Sequence, residues 1–183
     1  MRADAVKNRT RILAAAEAVF ATEGVSVPID LVAERAGVGV GTLYRHFPTK
    51  EDLFEAIVMA RLEELVNLAR AYGDADDPGE ALFSFLHEFA REASAKRDLF
   101  EAMGSAGIDF KSQCTELLDE MKQRIDLLVQ RAVSAGAVRS DIATEEVIGL
   151  VVGACHSTGQ SGLGDATVQR MVAVVCDGLR VAR

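Results

Sequence analysis

Apolar side chains recur at i, i+3, i+4 and i+7 along most of the chain, and no segment alternates apolar with polar residues for the length of a strand. That pattern restricts the fold to packed helices. From about Asn8 to Glu23, the residues Ile12, Leu13, Ala16, Val19 and Phe20 form one stripe, and Gly24 stands where a left-handed cap belongs. Pro28 sits at a favoured helix start; Ile29, Val32, Ala33 and Ala36 then repeat at helical spacing until Gly37 stops the run. Leu43 and Phe47 share one face of a third short helix that ends before Pro48. Thr49 and Asp52 have the spacing of a capping box and open a longer helix, about residues 50–70, with Leu53, Ile57, Ala60 and Leu65 among its apolar positions.

The polar stretch from Tyr72 to Gly79, with Gly73, Asp74, Asp76, Asp77 and Pro78, marks a boundary between two regions. Asp77-Pro78-Gly79-Glu80 restarts a helix whose stripe is Leu82, Phe85, Leu86, Phe89 and Ala93. A shorter helix is expected around Asp98 to Met103. Leu117, Leu118, Met121, Ile125, Leu128 and Ala132 mark a strongly amphipathic helix ending near Gly136. Two more follow, about Thr144 to Ser157 and Ala166 to Val181. The intervening Gly159 to Gly164 lacks the Gly-Lys-Ser/Thr ending of a phosphate loop and reads as a connection. Aromatics make up only 5% of the chain, with no Trp, which also favours helices over sheets. The expected architecture is all-α, with about nine helices.

The last two helices carry apolar residues around more than one side. Val147, Ile148, Leu150, Val151, Val152, Ala154 and Cys155 surround the axis of the first; Val168, Met171, Val172, Val175 and Leu179 line one side of the second, and Val174 and Cys176 another. A helix that is apolar all round must be covered all round. One small bundle does not easily cover both, so the pattern predicts a homodimer in which Val147, Val151, Val168, Met171, Val172, Val175 and Leu179 meet the same helices of a second subunit.

Function is concentrated between Ala33 and Leu53. Two short helices joined by a tight glycine-containing turn have the dimensions of a helix-turn-helix. Leu43 and Phe47 anchor the third helix, leaving Gly41, Thr42 and Arg45 outward, with Tyr44 and His46 at the flanks. Gly41 lets the backbone approach a groove closely, Thr42 suits a phosphate or a thymine methyl, and Arg45 can fork onto a guanine edge or a phosphate. The run Ala33-Glu34-Arg35-Ala36-Gly37-Val38-Gly39-Val40-Gly41-Thr42-Leu43-Tyr44-Arg45-His46-Phe47-Pro48-Thr49-Lys50-Glu51-Asp52-Leu53 closely resembles the DNA-binding signature of the TetR/AcrR family of one-component repressors. Arg11 to Ala16, Phe20 and the following helix resemble it too, so the likeness covers about residues 7–57.

That resemblance implies residues 1–50 as the DNA-binding domain, the helix of about 50–70 as the connection, and 71–183 as a ligand-binding and dimerisation domain. It implies double-stranded operator DNA as a partner, with phosphates held at Tyr44, His46 and Lys50, and a small-molecule effector. A pocket enclosed by the middle helices is implied as well, with Phe85, Phe89, Phe100, Met103 and Phe110 as apolar candidates and Cys114, Leu118, Met121 and Cys155 beside them; an ordinary filled core is the competing reading for each. Gly39 and Val40 depart from the family's usual hydroxyl cap and polar base reader. Val40 can still touch a base methyl, but the departure keeps open a second reading, an all-α small-molecule-binding protein or enzyme with a non-functional helix-turn-helix.

A formal net charge of −8 at first opposes nucleic acid binding. Its distribution answers the objection. Residues 1–50 hold seven bases and five acids, net +2, and residues 51–183 hold thirteen bases and twenty-three acids, net −10. A mildly basic head can face phosphate while the acidic body is turned away.

Nothing in the chain pairs a nucleophile with a base, so catalysis has no support. His87, Cys155 and His156 are the nearest approach to a metal set, and each reads more simply as structural; no metal or other cofactor is expected. The three cysteines form no CxxC pair, and no apolar run reaches the length of a membrane span, so a cytoplasmic protein without membrane association is expected.

Overall fold

A computed structural model describes residues 2–95, 114–161 and 164–181. Among these residues there are eight helices: α1 (Arg2–Glu23), α2 (Ile29–Ala36), α3 (Val40–His46), α4 (Lys50–Gly73), α5 (Pro78–Ala95), α6 (Thr115–Ser134), α7 (Thr144–Ser161) and α8 (Asp165–Leu179). Extended pairing among the described residues is confined to one isolated antiparallel bridge between Val138 and Arg180. The helix expected at Asp98 to Met103 lies outside the described residues.

The described residues fall into two compact units, one of residues 2–61 with 114–115 and one of 62–95 with 116–161 and 164–181, so the division cuts α4 after Arg61. In the first, Ile12, Ala16, Val19 and Phe20 of α1 are buried with Val32 and Ala33 of α2, Leu43 of α3, and Leu53, Phe54 and Ile57 of α4. The Phe20 and Phe54 rings lie 4.8 Å apart. Helix α1 begins at Arg2, earlier than its stripe predicts, because periodicity registers only the buried part; Asp4, Val6 and Lys7 are exposed.

Two local devices shape this unit. Gly37, at φ +62°, ends α2 in the left-handed conformation. The Gly37 and Val38 N–H groups donate to Glu34 O and Ala33 O, both at 3.0 Å, a Schellman closure that an L side chain would strain. At the start of α4 the expected capping box forms: Asp52 N–H donates to Thr49 Oγ1 at 3.1 Å and Thr49 N–H to Asp52 Oδ2 at 2.9 Å. Thr49→Ala is expected to lower stability by about 1 kcal/mol, read as a drop in thermal midpoint.

In the second unit, α5 packs on α8 and α7, and Leu82, Phe85, Leu86 and Phe89 join Ile125, Leu128 and Val129 of α6 in one core. Gly79 allows the start of α5 to approach the turn after α6, since a Cβ there would stand 2.6 Å from Ala137 Cβ. The Arg180 guanidinium lies 4.2 Å from the Phe83 ring centroid. Arg139 N–H donates to Leu179 O at 2.9 Å, which ties the end of α8 to the same turn. Helix α7 runs through Gly159 to Ser161, past its expected end, at the ordinary cost of interior glycine.

The residues expected to meet a partner subunit differ in how deeply they lie within their own subunit. Val147, Val151, Val168, Val172 and Leu179 are buried in the subunit's own core, and Met171 and Val175 are half-buried against it. Exposed positions on these helices include Gly149, Leu150 and Gly153 on α7 and Val174 and Gly178 on α8. The reason is geometric: apolar residues all round a helix show that both sides are covered, but not which side faces which neighbour.

Candidate nucleic-acid interface

Helix α3 owes its orientation to two side chains. Leu43 is fully buried and Phe47 is buried just beyond the helix end, where its N–H donates to Leu43 O at 2.8 Å. The opposite side of this short helix therefore faces outward. Val40 and Tyr44 are 41% and 43% exposed, Gly41 and Arg45 are exposed, and Thr42 and His46 are half-buried. Gly39 opens the helix without a side-chain cap; Thr42 and Leu43 N–H groups both reach the Gly39 carbonyl, at 2.8 and 3.1 Å.

The bases around this surface divide between internal and external work. Arg11 Nη2 donates to Gly37 O at 3.4 Å, reinforcing the turn between α2 and α3. Arg35 pairs with Glu23 at 3.3 Å. Arg9 lies over the Phe47 ring, 5.6 Å from its centroid. Among the described residues no acceptor takes up the Arg45 guanidinium, which stands in solvent.

The Lys50 side chain turns into the head. Its ammonium donates to Val27 O at 2.6 Å and sits over Phe20 and Phe54, 5.8 and 5.9 Å from the ring centroids. Burial holds its pKa below the usual lysine value, partly offset by the neighbouring Glu51 carboxylate. The positive end of α4 disfavours a cation along the axis, while the Val27 carbonyl and two ring faces supply negative potential beside it. Sequence reasoning missed this contact because Val27 precedes Lys50 by more than twenty residues and acts through its backbone.

The described residues expected around a ligand are divided between the two units. Phe85, Phe89 and Cys155 are buried in the core of the second unit, with Met121 packed against it; the two phenylalanine rings are 5.9 Å apart and the Cys155 thiol points to Ala90 O at 3.8 Å. Leu118 is half-buried. Cys114 belongs to the first unit, where its thiol lies 3.4 Å from Met59 Sδ. Phe100, Met103 and Phe110 lie outside the described residues. Among the described residues, one open groove of the second unit, of about 380 Å³, is lined by Asp119, Lys122, Gln123, Asp126 and Glu145, and another of about 320 Å³ by Tyr72, Ser84, His87, Glu88, Arg91 and Gln169.

His87 and His156 have protein partners, Gln169 Oε1 at 2.8 Å and Val152 O at 2.9 Å. Among the described residues no three His, Cys, Asp or Glu side chains are grouped to hold a metal ion. No described helix is long and apolar enough to cross a membrane.

A three-helix head that presents one short helix outward defines a helix-turn-helix DNA-binding regulator. Residues 12–57 match the family described as bacterial regulatory proteins, tetR family, and residues 77–181 match the SbtR-like transcriptional regulator C-terminal domain. A TetR transcription regulatory protein from Mycobacterium vanbaalenii is 38% identical, with a TM-score of 0.78 over 98% of this chain and 99% of that one. A TetR transcriptional regulator from Streptomyces coelicolor is 32% identical, with a TM-score of 0.76 over 96% and 99%. An HTH-type transcriptional regulator from Staphylococcus aureus is 40% identical over 67 residues, and that match spans only 36% of either chain. This chain belongs to the TetR family of transcriptional regulators.

Proposed function

We propose that the protein is a cytoplasmic repressor, acting as a homodimer on a palindromic operator and released by a small, mainly apolar ligand. The observation that carries this reading is the outward face of α3, held by Leu43 and Phe47 and bearing Val40, Gly41, Tyr44 and Arg45. Residues 1–50 supply DNA contact, with Thr42, Tyr44 and His46 on phosphate and Arg45 on a guanine edge. Residues 71–183 supply ligand binding and dimerisation, and α4 connects the two. Two-fold symmetry sets half-site centres about 34–36 Å apart, or somewhat more.

The dimer surface is proposed on the exposed side of α7 and α8, at Gly149, Leu150, Gly153 and Val174, with the buried valines beneath supporting it. A ligand held among Phe85, Phe89, Met121 and Cys155 enters a packed core, so its binding depends on conformation. It lowers operator occupancy only to the extent that it binds the DNA-incompetent state more tightly; equal binding to both states shifts nothing.

A gel-shift titration with DNA from upstream of the protein's own gene tests the reading. A retarded complex containing two subunits per duplex is expected, and sedimentation at micromolar concentration should show a dimer. Failure to bind across salt concentrations, or a clean monomer, contradicts it.

Lys50 adds a finer test. If its ammonium stays on Val27 O, Lys50→Met costs about 1 kcal/mol of stability but leaves the salt dependence of operator binding unchanged. Loss of a phosphate contact from each of the two subunits would instead reduce the slope of log K against log salt by about 1.8.

A further inference from the structure

The outward face of α3 has two rows. Residues four apart stand one above the other on a helix, so Val40 and Tyr44 form one row and Gly41 and Arg45 the other. The second row combines close backbone approach with a charged fork. The first is apolar and lies in water, with Val40 41% and Tyr44 43% exposed.

Val40 is flanked by open space on the helix surface. It stands between two glycines; a Cβ on Gly41 would meet nothing within 4 Å, and one on Gly39 only Thr42 Oγ1 at 3.9 Å. Across the first turn of α3 the other wholly apolar side chain, Leu43, is buried, so Val40 supplies the exposed one. Its branched Cβ restricts χ1, so little rotamer freedom remains to be lost on contact.

Base edges in the major groove offer donors, acceptors and a single apolar group, the C5 methyl of thymine. A valine pressed on a polar edge removes water without replacing its hydrogen bonds, which is unfavourable. Against a thymine methyl the same valine buries apolar surface on both sides. We infer that Val40 is a specificity-determining residue that reads one thymine in each half-site through its C5 methyl, with the Tyr44 ring continuing the apolar edge towards the backbone. This rests on the DNA-binding reading above.

Deoxyuridine scanning tests it. The duplex preferred by the full-length protein is selected from a random pool, and each thymine is replaced in turn by deoxyuridine, which removes the methyl and leaves the pairing edge intact. At one thymine per half-site the affinity should fall about fourfold, the worth of one buried methyl-sized group. That drop should persist in Val40→Ile and disappear in Val40→Ser, with both variants melting like the parent. A flat scan with the native protein, or a drop unchanged in Val40→Ser, overturns the assignment while DNA binding stands. Failure to select any duplex overturns the DNA-binding reading and this inference with it.

Discussion

Arg45→Ala should weaken operator binding by roughly 1–3 kcal/mol, about five- to 150-fold, without moving the melting temperature. The guanidinium is exposed on α3 and, among the described residues, has no acceptor whose loss would destabilise the fold. Its five donors form a planar fork that matches the O6 and N7 acceptors of guanine, so the loss should be concentrated at one base pair. Arg45→Lys distinguishes a base from a phosphate. Lysine restores charge but not the fork, so affinity should stay low if Arg45 reads guanine and largely recover if it holds only phosphate. Fluorescence anisotropy with a labelled duplex, repeated with each base pair varied, measures both effects.

Leu43→Ala should have the larger effect, about 2–5 kcal/mol of stability, because it empties a fully buried position that holds α3 to the rest of the head. DNA binding should fail with it. The two substitutions lie two residues apart and separate cleanly: Arg45→Ala leaves a folded protein that binds weakly, whereas Leu43→Ala loosens the presenting helix itself. Amide hydrogen exchange should show lost protection spreading from α3 into α2, since both share the Schellman turn and the core around Val32 and Ala33. Normal protection in α3 of Leu43→Ala would contradict the anchoring role.

Where chemistry is local, the sequence was sufficient. The left-handed Gly37, the reciprocal Thr49–Asp52 cap and the inward facing of Leu43 and Phe47 each depend on residues a few positions apart, and all three form. Contacts between distant segments were not legible. Lys50 turns to the Val27 carbonyl because folding brings it there, and no side-chain pattern announces a backbone acceptor. Cys114, which the family resemblance implies beside Phe85, lies beside Met59 in the other unit. The valines of α7 and α8 reveal burial without naming the neighbour: of the seven residues expected at a dimer surface, five lie in the subunit's own core and Met171 and Val175 are half-buried against it.

Net +2 over residues 1–50 overstates the bases left for DNA, because Arg11, Arg35 and Lys50 are engaged within the head. Operator affinity should therefore depend on a few well-placed groups of α3 more than on a broad basic field.

The most direct test of the central claim is equilibrium binding of the full-length protein to the duplex upstream of its own gene and to a scrambled duplex of equal length, across a salt series. The account predicts a preference of about 10³-fold or more for the native sequence at physiological salt, with log K falling linearly against log salt. Equal affinity for the two duplexes, or no binding to either, would contradict it.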